Sequence, residues 1–104
     1  MTHAEHFNFV EMLNKTLLSF NVEKDRRNKA EIAISLYSSI RGQLTEKTQE
    51  LGDRFFEEIV SGKNPLMAYR LVMLISSDKN IVDAQRKLAG LHRTPIVYYD
   101  VAEE

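Results

Sequence analysis

Asn64-Pro65-Leu66-Met67-Ala68-Tyr69-Arg70-Leu71-Val72-Met73-Leu74-Ile75-Ser76-Ser77 decides the fold of this 104-residue chain. Its inner run, Leu71-Val72-Met73-Leu74-Ile75, has the length and composition of a buried strand. What precedes the run reads as a helix start. Asn caps helices well, and Pro fits the first helical position because its missing N–H would have no partner there. The chain offers no matching partner strand, so the stretch is expected to form a helix over residues 65–77, with Arg70 its one charge. A helix apolar on most sides belongs in the middle of a helical bundle or at an interface.

Working outward, apolar residues recur at helical spacing through most of the chain. A first helix is expected over about 4–20, with Phe9, Leu13, Leu17 and Phe20 on one face and Val10 beside them. Glu11 and Lys15 stand at i,i+4 on the opposite face, in the favourable order. Asn21 and the run Glu23-Lys24-Asp25 read as a turn. A second helix, about 25–41, has the stripe Ile32, Ala33, Leu36, Tyr37 and Ile40; Gly42 suits a left-handed residue past its end. Thr45 is a cap for a third helix over about 46–61, with the stripe Leu51, Phe55 and Ile59 flanked by Phe56 and Val60. Gly52 lies one residue off that stripe and would let a neighbour come close, at a cost near 1 kcal/mol relative to Ala. Ser61-Gly62-Lys63 ends the third helix. Beyond the fourth, Ser76 to Asn80 reads as a turn, and Ile81, Ala84, Leu88 and Leu91 mark a short fifth helix over about 81–91. Thr94-Pro95 stops helical structure, and Ile96-Val97-Tyr98-Tyr99-Asp100-Val101 is expected to be an extended tail against the bundle. The expected fold is therefore all-α, one domain over residues 1–104.

Composition excludes several classes. With no Cys, disulfides and thiolate metal sites are out, and a reducing compartment fits. No apolar stretch approaches the roughly 20 residues that a membrane span needs. The start, Met-Thr-His-Ala-Glu-His, shows no secretory signal pattern. Fourteen basic and fifteen acidic residues give a net charge of −1, spread evenly along the chain, which argues against a nucleic-acid binder.

Five groups of residues are candidates for chemistry. His3 and His6 share a helix face but lack a carboxylate to complete a metal site, and a solvated terminus accounts for them. Lys24, Arg26, Arg27 and Lys29 cluster at the start of helix two, where cations oppose the helix dipole. They either contact phosphates or lipid headgroups, or pair at i,i+4 through Glu23–Arg27, Asp25–Lys29 and Arg27–Glu31. Glu46, Glu50, Asp53, Glu57 and Glu58 alternate with cations on helix three and read as solvent-facing rather than as an acid–base pair. Met67, Tyr69, Arg70 and Met73 are either core or an adaptable partner surface. Finally, Arg86, Lys87, His92 and Arg93 precede the aromatic pair Tyr98 and Tyr99, followed by Asp100, Glu103 and Glu104. This segment is either packing or a recognition surface. There is no nucleophile signature, no glycine-rich phosphate loop and no zinc-protease pair, so no cofactor, metal or catalytic residue is expected.

The chain resembles class II bacteriocin immunity proteins of the pediocin-like, enterocin A type, a group that includes streptococcal bacteriocin-like immunity proteins. The resemblance is carried by the amphipathic first helix ending near Phe20 and by the charged turn Glu23-Lys24-Asp25-Arg26-Arg27. That turn leads into Ala30-Glu31-Ile32-Ala33-Ile34-Ser35-Leu36-Tyr37. It also rests on the helix start at Asn64-Pro65-Leu66, continuing through Tyr69-Arg70-Leu71-Val72, and on the aromatic tail. It implies a cytoplasmic antiparallel bundle of four main helices, with the short fifth as an accessory or as half of a broken fourth. Such proteins act without catalysis at the inner face of the membrane, on a complex of bacteriocin with its sugar-transporter receptor. The C-terminal half sets specificity, which here means Arg86, Lys87, His92, Arg93, Tyr98 and Tyr99. The rival reading is a small transcriptional regulator that uses helices four and five as a helix-turn-helix, with Gln85, Arg86 and Lys87 reaching bases.

Overall fold

A computed structural model of the chain describes residues 3–64 and 66–92. The described residues form five α-helices and one 3-10 turn, with no strand. They are α1 (His3–Val22), α2 (Arg26–Ile40), the 3-10 turn Arg41–Gln43, α3 (Glu46–Val60), α4 (Met67–Ser77) and α5 (Lys79–His92). None of these helices is long and apolar enough to cross a membrane. The expected tail and Pro65 lie outside the described residues, as do the side chains of Leu88 and Leu91.

Helix α4 packs against α2, α3 and α5, while α1 packs against α2 and α5. Ala68, Leu71, Val72 and Ile75 give α4 its buried face. They join Leu13, Leu17 and Phe20 of α1, Leu36, Tyr37 and Ile40 of α2, Ile59 of α3 and Ile81 of α5 in one continuous core. The decisive stretch is thus a helix, and it is central as its composition requires. Asn64 is not the cap expected of it: α4 begins at Met67 with Leu66 at its N-cap and no side-chain cap, and Asn64 Oδ1 accepts the Leu66 N–H at 3.2 Å just ahead of the helix.

Two helix boundaries are set by acids that read only as turn residues. Asp25 accepts the Asn28 N–H at 3.0 Å and is the N-cap of α2. Asp78 alone separates α4 from α5, so the expected five-residue turn shrinks to one residue. Its Oδ1 accepts the Asn80 N–H at 2.9 Å, which caps α5, and its Oδ2 accepts the Thr45 N–H at 3.1 Å and hydroxyl at 2.8 Å. One buried carboxylate therefore fastens the start of α5 to the start of α3. Burial alone would raise the Asp78 carboxyl. Hydrogen bonding from the Thr48 and Thr45 hydroxyls and from the Thr45 and Asn80 N–H groups outweighs it, and the group is held below its ordinary value.

Helix α3 is rotated from its expected orientation. Leu51 and Val60 are exposed, and Thr48, Gly52 and Ile59 face inward, with Phe55 and Phe56 half-buried. The cause is Tyr37. A Cβ at position 52 would stand 2.6 Å from Tyr37 Cε1, closer than real carbons approach, so the bare glycine gives the ring its place. The ring also packs against Phe56 at 5.6 Å between centroids. Its hydroxyl lies 2.6 Å from Asp53 Oδ1 and 3.0 Å from the Gln49 carbonyl; the charged, nearer acceptor takes the one phenol proton. Arg41 closes the network, donating from Nε and Nη2 to the two Asp53 oxygens at 2.8 and 2.7 Å. Gly42 is not left-handed as expected: it sits inside the 3-10 turn that carries Arg41 to Asp53. The left-handed glycine is Gly62, with φ of 76°, at the end of α3.

Bonding from Arg41 and then Tyr37 holds the Asp53 carboxyl at about 2, against an ordinary 3.8. Burial, followed by the neighbouring Asp53, pushes the Tyr37 phenol up to about 12.

This packing can be tested by substitution and by pH. Leu36→Ala and Leu71→Ala remove fully buried side chains, and each should cost about 2–5 kcal/mol in denaturant unfolding. Gly52→Ala should destabilise by about 1–3 kcal/mol through overpacking, although Ala is the better helix former. The same change beside Tyr37→Ala should be neutral or stabilising, because the clash has gone. As for pH, a depressed carboxyl contributes stability above its ordinary value that is lost as pH falls through the folded value. Unfolding free energy should therefore decline between pH 3.8 and about 2, and Asp53→Asn should flatten that decline. The raised Tyr37 phenol works in the opposite sense: its contribution is full below pH 10 and lost as pH rises through about 12.

Candidate partner-binding surface

The connection between α1 and α2 consists of residues 23–25, and both of its acids are engaged locally. Glu23 Oε1 accepts the Asp25 N–H at 3.1 Å and the Asn28 side-chain amide at 3.3 Å, while Asp25 caps the helix. The i,i+4 pairs expected to neutralise the basic cluster do not form: none of Glu23–Arg27, Asp25–Lys29 or Arg27–Glu31 is an ion pair among the described residues. The first-helix pair does form, with Lys15 Nζ 3.0 Å from Glu11 Oε1. Local bonding at the start of α2 has thus claimed Glu23 and Asp25, two of the three carboxylates expected to offset the cluster; Glu31 takes no part in it. Lys29, half-buried, lies with its Nζ 4.5 Å above the ring of the buried Phe20, a cation–π contact.

That contact marks one wall of an open groove of about 910 Å³. Its floor is Phe20 from α1, Phe55 from α3, and Leu66, Met67, Met73 and Leu74 from the start and outer side of α4. Its rim carries Lys24, Arg26, Lys29 and Arg70, and no carboxylate lines it among the described residues. Tyr69 joins the two parts, with its ring 6.4 Å from that of Phe20. Two candidate groups far apart in sequence, the basic cluster after α1 and the Met-Tyr-Arg surface of α4, therefore form a single site. Helix α4 makes this possible because it is apolar on two sides. Ala68, Leu71, Val72 and Ile75 enter the core, and Met67, Met73 and Leu74 face the groove.

The remaining candidates lie elsewhere. Arg86 and Lys87 are exposed on α5 and are not part of the groove. The side chain of His92, and Arg93, Tyr98 and Tyr99 altogether, lie outside the described residues. Glu46, Glu50 and Glu57 are exposed as expected, but Asp53 is tied to Arg41 and Tyr37. Its lowered carboxyl is the reverse of what a general acid needs. His6 is not on a solvated terminus. It is 8% exposed, and its Nε2 lies 2.9 Å from the Ala84 carbonyl, so it donates there and links α1 to α5. Gln85 is 3% exposed and donates to Asn14 Oδ1 at 3.0 Å, so it cannot reach a base edge as the helix-turn-helix reading requires. Among the described residues no three His, Asp or Glu side chains gather as a metal site.

The groove as a whole has no sequence signal, since charge and apolar residues from distant segments compose it. What the sequence does show is an apolar helix with a second apolar side. The chain matches no family model, no curated protein and no solved structure.

Proposed function

We propose that this chain is a bacteriocin immunity protein, a non-catalytic, cytoplasmic binding protein that protects its producer from a pore-forming peptide. On this reading it is an antiparallel bundle of four main helices with α5 as the short accessory. It acts at the inner face of the membrane on a complex of bacteriocin and sugar-transporter receptor. Recognition lies in the C-terminal half, with Arg86 and Lys87 presented on α5 and His92, Arg93, Tyr98 and Tyr99 following them. The observation that carries the reading is where the resemblance falls. Two of the segments that bear it, the charged turn into α2 and the start of α4, contribute most of the groove's lining. An apolar floor with a cationic rim suits contact with a protein partner, where Tyr and Arg combine area with hydrogen bonding.

The regulator reading loses ground on two counts. A helix-turn-helix needs a turn of about three or four residues, and α4 and α5 are separated by Asp78 alone. Gln85, one of its three reading residues, is buried.

Expression in a bacteriocin-sensitive strain, followed by challenge with class II bacteriocins, tests the proposal. Survival should rise for at least one of them, and Arg86→Ala with Lys87→Ala should lower that survival without loss of helical signal. Unchanged killing by every peptide, together with salt-sensitive DNA binding, would contradict it.

A further inference from the structure

One end of the molecule gathers four helix termini. Tyr69, in the first turn of α4, stands 6.4 Å from Phe20 in the last turn of α1, and Lys29 of α2 lies over that same Phe20 ring. At the other end of α4, Asp78 accepts the Thr45 hydroxyl and the Asn80 side chain donates to the Gln43 carbonyl. The end of α1 and the starts of α2 and α4 therefore lie together, and the end of α3 joins them through residues 61–66. Val22, Leu66 and Val60 stand at this end, 72%, 61% and 58% exposed, and they are the most exposed large apolar side chains among the described residues. Around them Lys24, Arg26, Arg27 and Lys63 are exposed, and none of the four is in an ion pair among the described residues.

We propose that this end docks on the anionic surface of a lipid bilayer, with Val22, Val60 and Leu66 entering the headgroup layer and the four cations meeting lipid phosphates. Charge selects this occupant. Residues 22–29 and 57–70 hold six of the fourteen basic residues and four of the fifteen acidic ones, so they carry +2 and the rest of the chain −3. Two of those four acids, Glu23 and Asp25, are already bonded to N–H groups at the start of α2. An anionic surface thus meets the positive end and leaves the negative remainder in water. Shape points the same way. A segment seated inside the groove would leave Val22 and Val60 in water, since neither lines it, whereas a surface broad enough to span the helix ends covers them with Leu66. Three apolar side chains alone hold a protein weakly, and the basic cluster supplies the second signal that attachment needs. The groove opens beside this end, so a docked molecule presents it at the bilayer surface to a protein partner there. The inference does not rest on the immunity reading: protection of a sensitive strain by a chain that ignores lipid would sink this inference alone.

Co-sedimentation of the full chain with vesicles of phosphatidylglycerol and phosphatidylcholine in equal parts, and with phosphatidylcholine alone, tests the proposal. The protein should partition onto the first and not the second, and less so as salt rises. Arg27→Gln with Lys63→Gln, neither of which lines the groove, should lower partitioning about tenfold or more, since each cation at such a surface is worth roughly fivefold. Val22→Asn with Val60→Asn should lower it too while leaving the helical circular dichroism unchanged. Lys47→Gln with Lys79→Gln makes the same change in net charge at the exposed starts of α3 and α5, beside Asp78, and should leave partitioning as it was. The chain has no Trp, so Leu66→Trp adds one fluorophore at an exposed position. Its emission should shift to the blue on phosphatidylglycerol vesicles and be quenched by bromine-labelled lipid, a readout that does not depend on the double variants folding. No partitioning onto phosphatidylglycerol vesicles, or an indole whose emission ignores them, would overturn the proposal. Equal losses from the two charge pairs would overturn it by leaving only net-charge attraction. Partitioning indifferent to the Val22 and Val60 changes would do so as well. Self-association abolished by those two changes, with no vesicle binding, would assign the surface to a second copy and overturn it.

Discussion

Ala68, Leu71, Val72 and Ile75 of α4 lie against α2, α3 and α5, and this contact brings most of the chain together. Each fully buried Leu, Val or Ile contributes about 1.5–3 kcal/mol relative to exposure, so these few side chains supply much of the available stability. The contact also dictates the site. A helix buried on one side and apolar on another must present greasy surface somewhere, and here it does so between Phe20 and Phe55. The groove is a direct consequence of the composition that makes the fold.

Polar contacts fix how the helices meet. Tyr37 reaches across to α3, where Gly52 leaves room for the ring and Asp53 receives its hydroxyl. Arg41, held in the 3-10 turn, grips the same carboxylate from the other side. Asp78 does comparable work at the opposite junction, capping α5 while bonding Thr45 at the start of α3. Apolar burial is indifferent to small rotations and slides, but a carboxylate with directed donors is not, because bonds of this kind weaken steeply once their geometry is lost. These two acids therefore set the rotation of α3 and the angle at which α5 leaves α4.

Much of this was legible from residue order. The apolar faces of α1, α2 and α4 follow from spacing alone, and so does the cap at Thr45, whereas α4 starts two residues later than the Asn64-Pro65 signal indicates. The orientation of α3 was not, because hydrophobic periodicity weighs Leu51 and Val60 above a glycine. Only the shape of the Tyr37 ring reveals that Gly52 faces inward. Asp25 and Asp78 carry ordinary turn signals, and nothing local tells a solvated aspartate from one that bonds a threonine thirty-three positions away. For the site, both halves were visible as separate clusters. Their meeting was not, since it depends on α2 and α4 packing side by side. The expected neutralisation of the basic cluster through Glu23 and Asp25 failed for a physical reason: both carboxylates are bonded at the start of α2.

Native-state amide hydrogen exchange across the helices tests the centrality of α4 most directly. If α4 is the hub, the amides of Leu71, Val72 and Ile75 exchange only through global unfolding, at a free energy equal to that from denaturant melting. Exchange of those amides through a smaller opening, while the amides of α1 remain protected to the global limit, would contradict it.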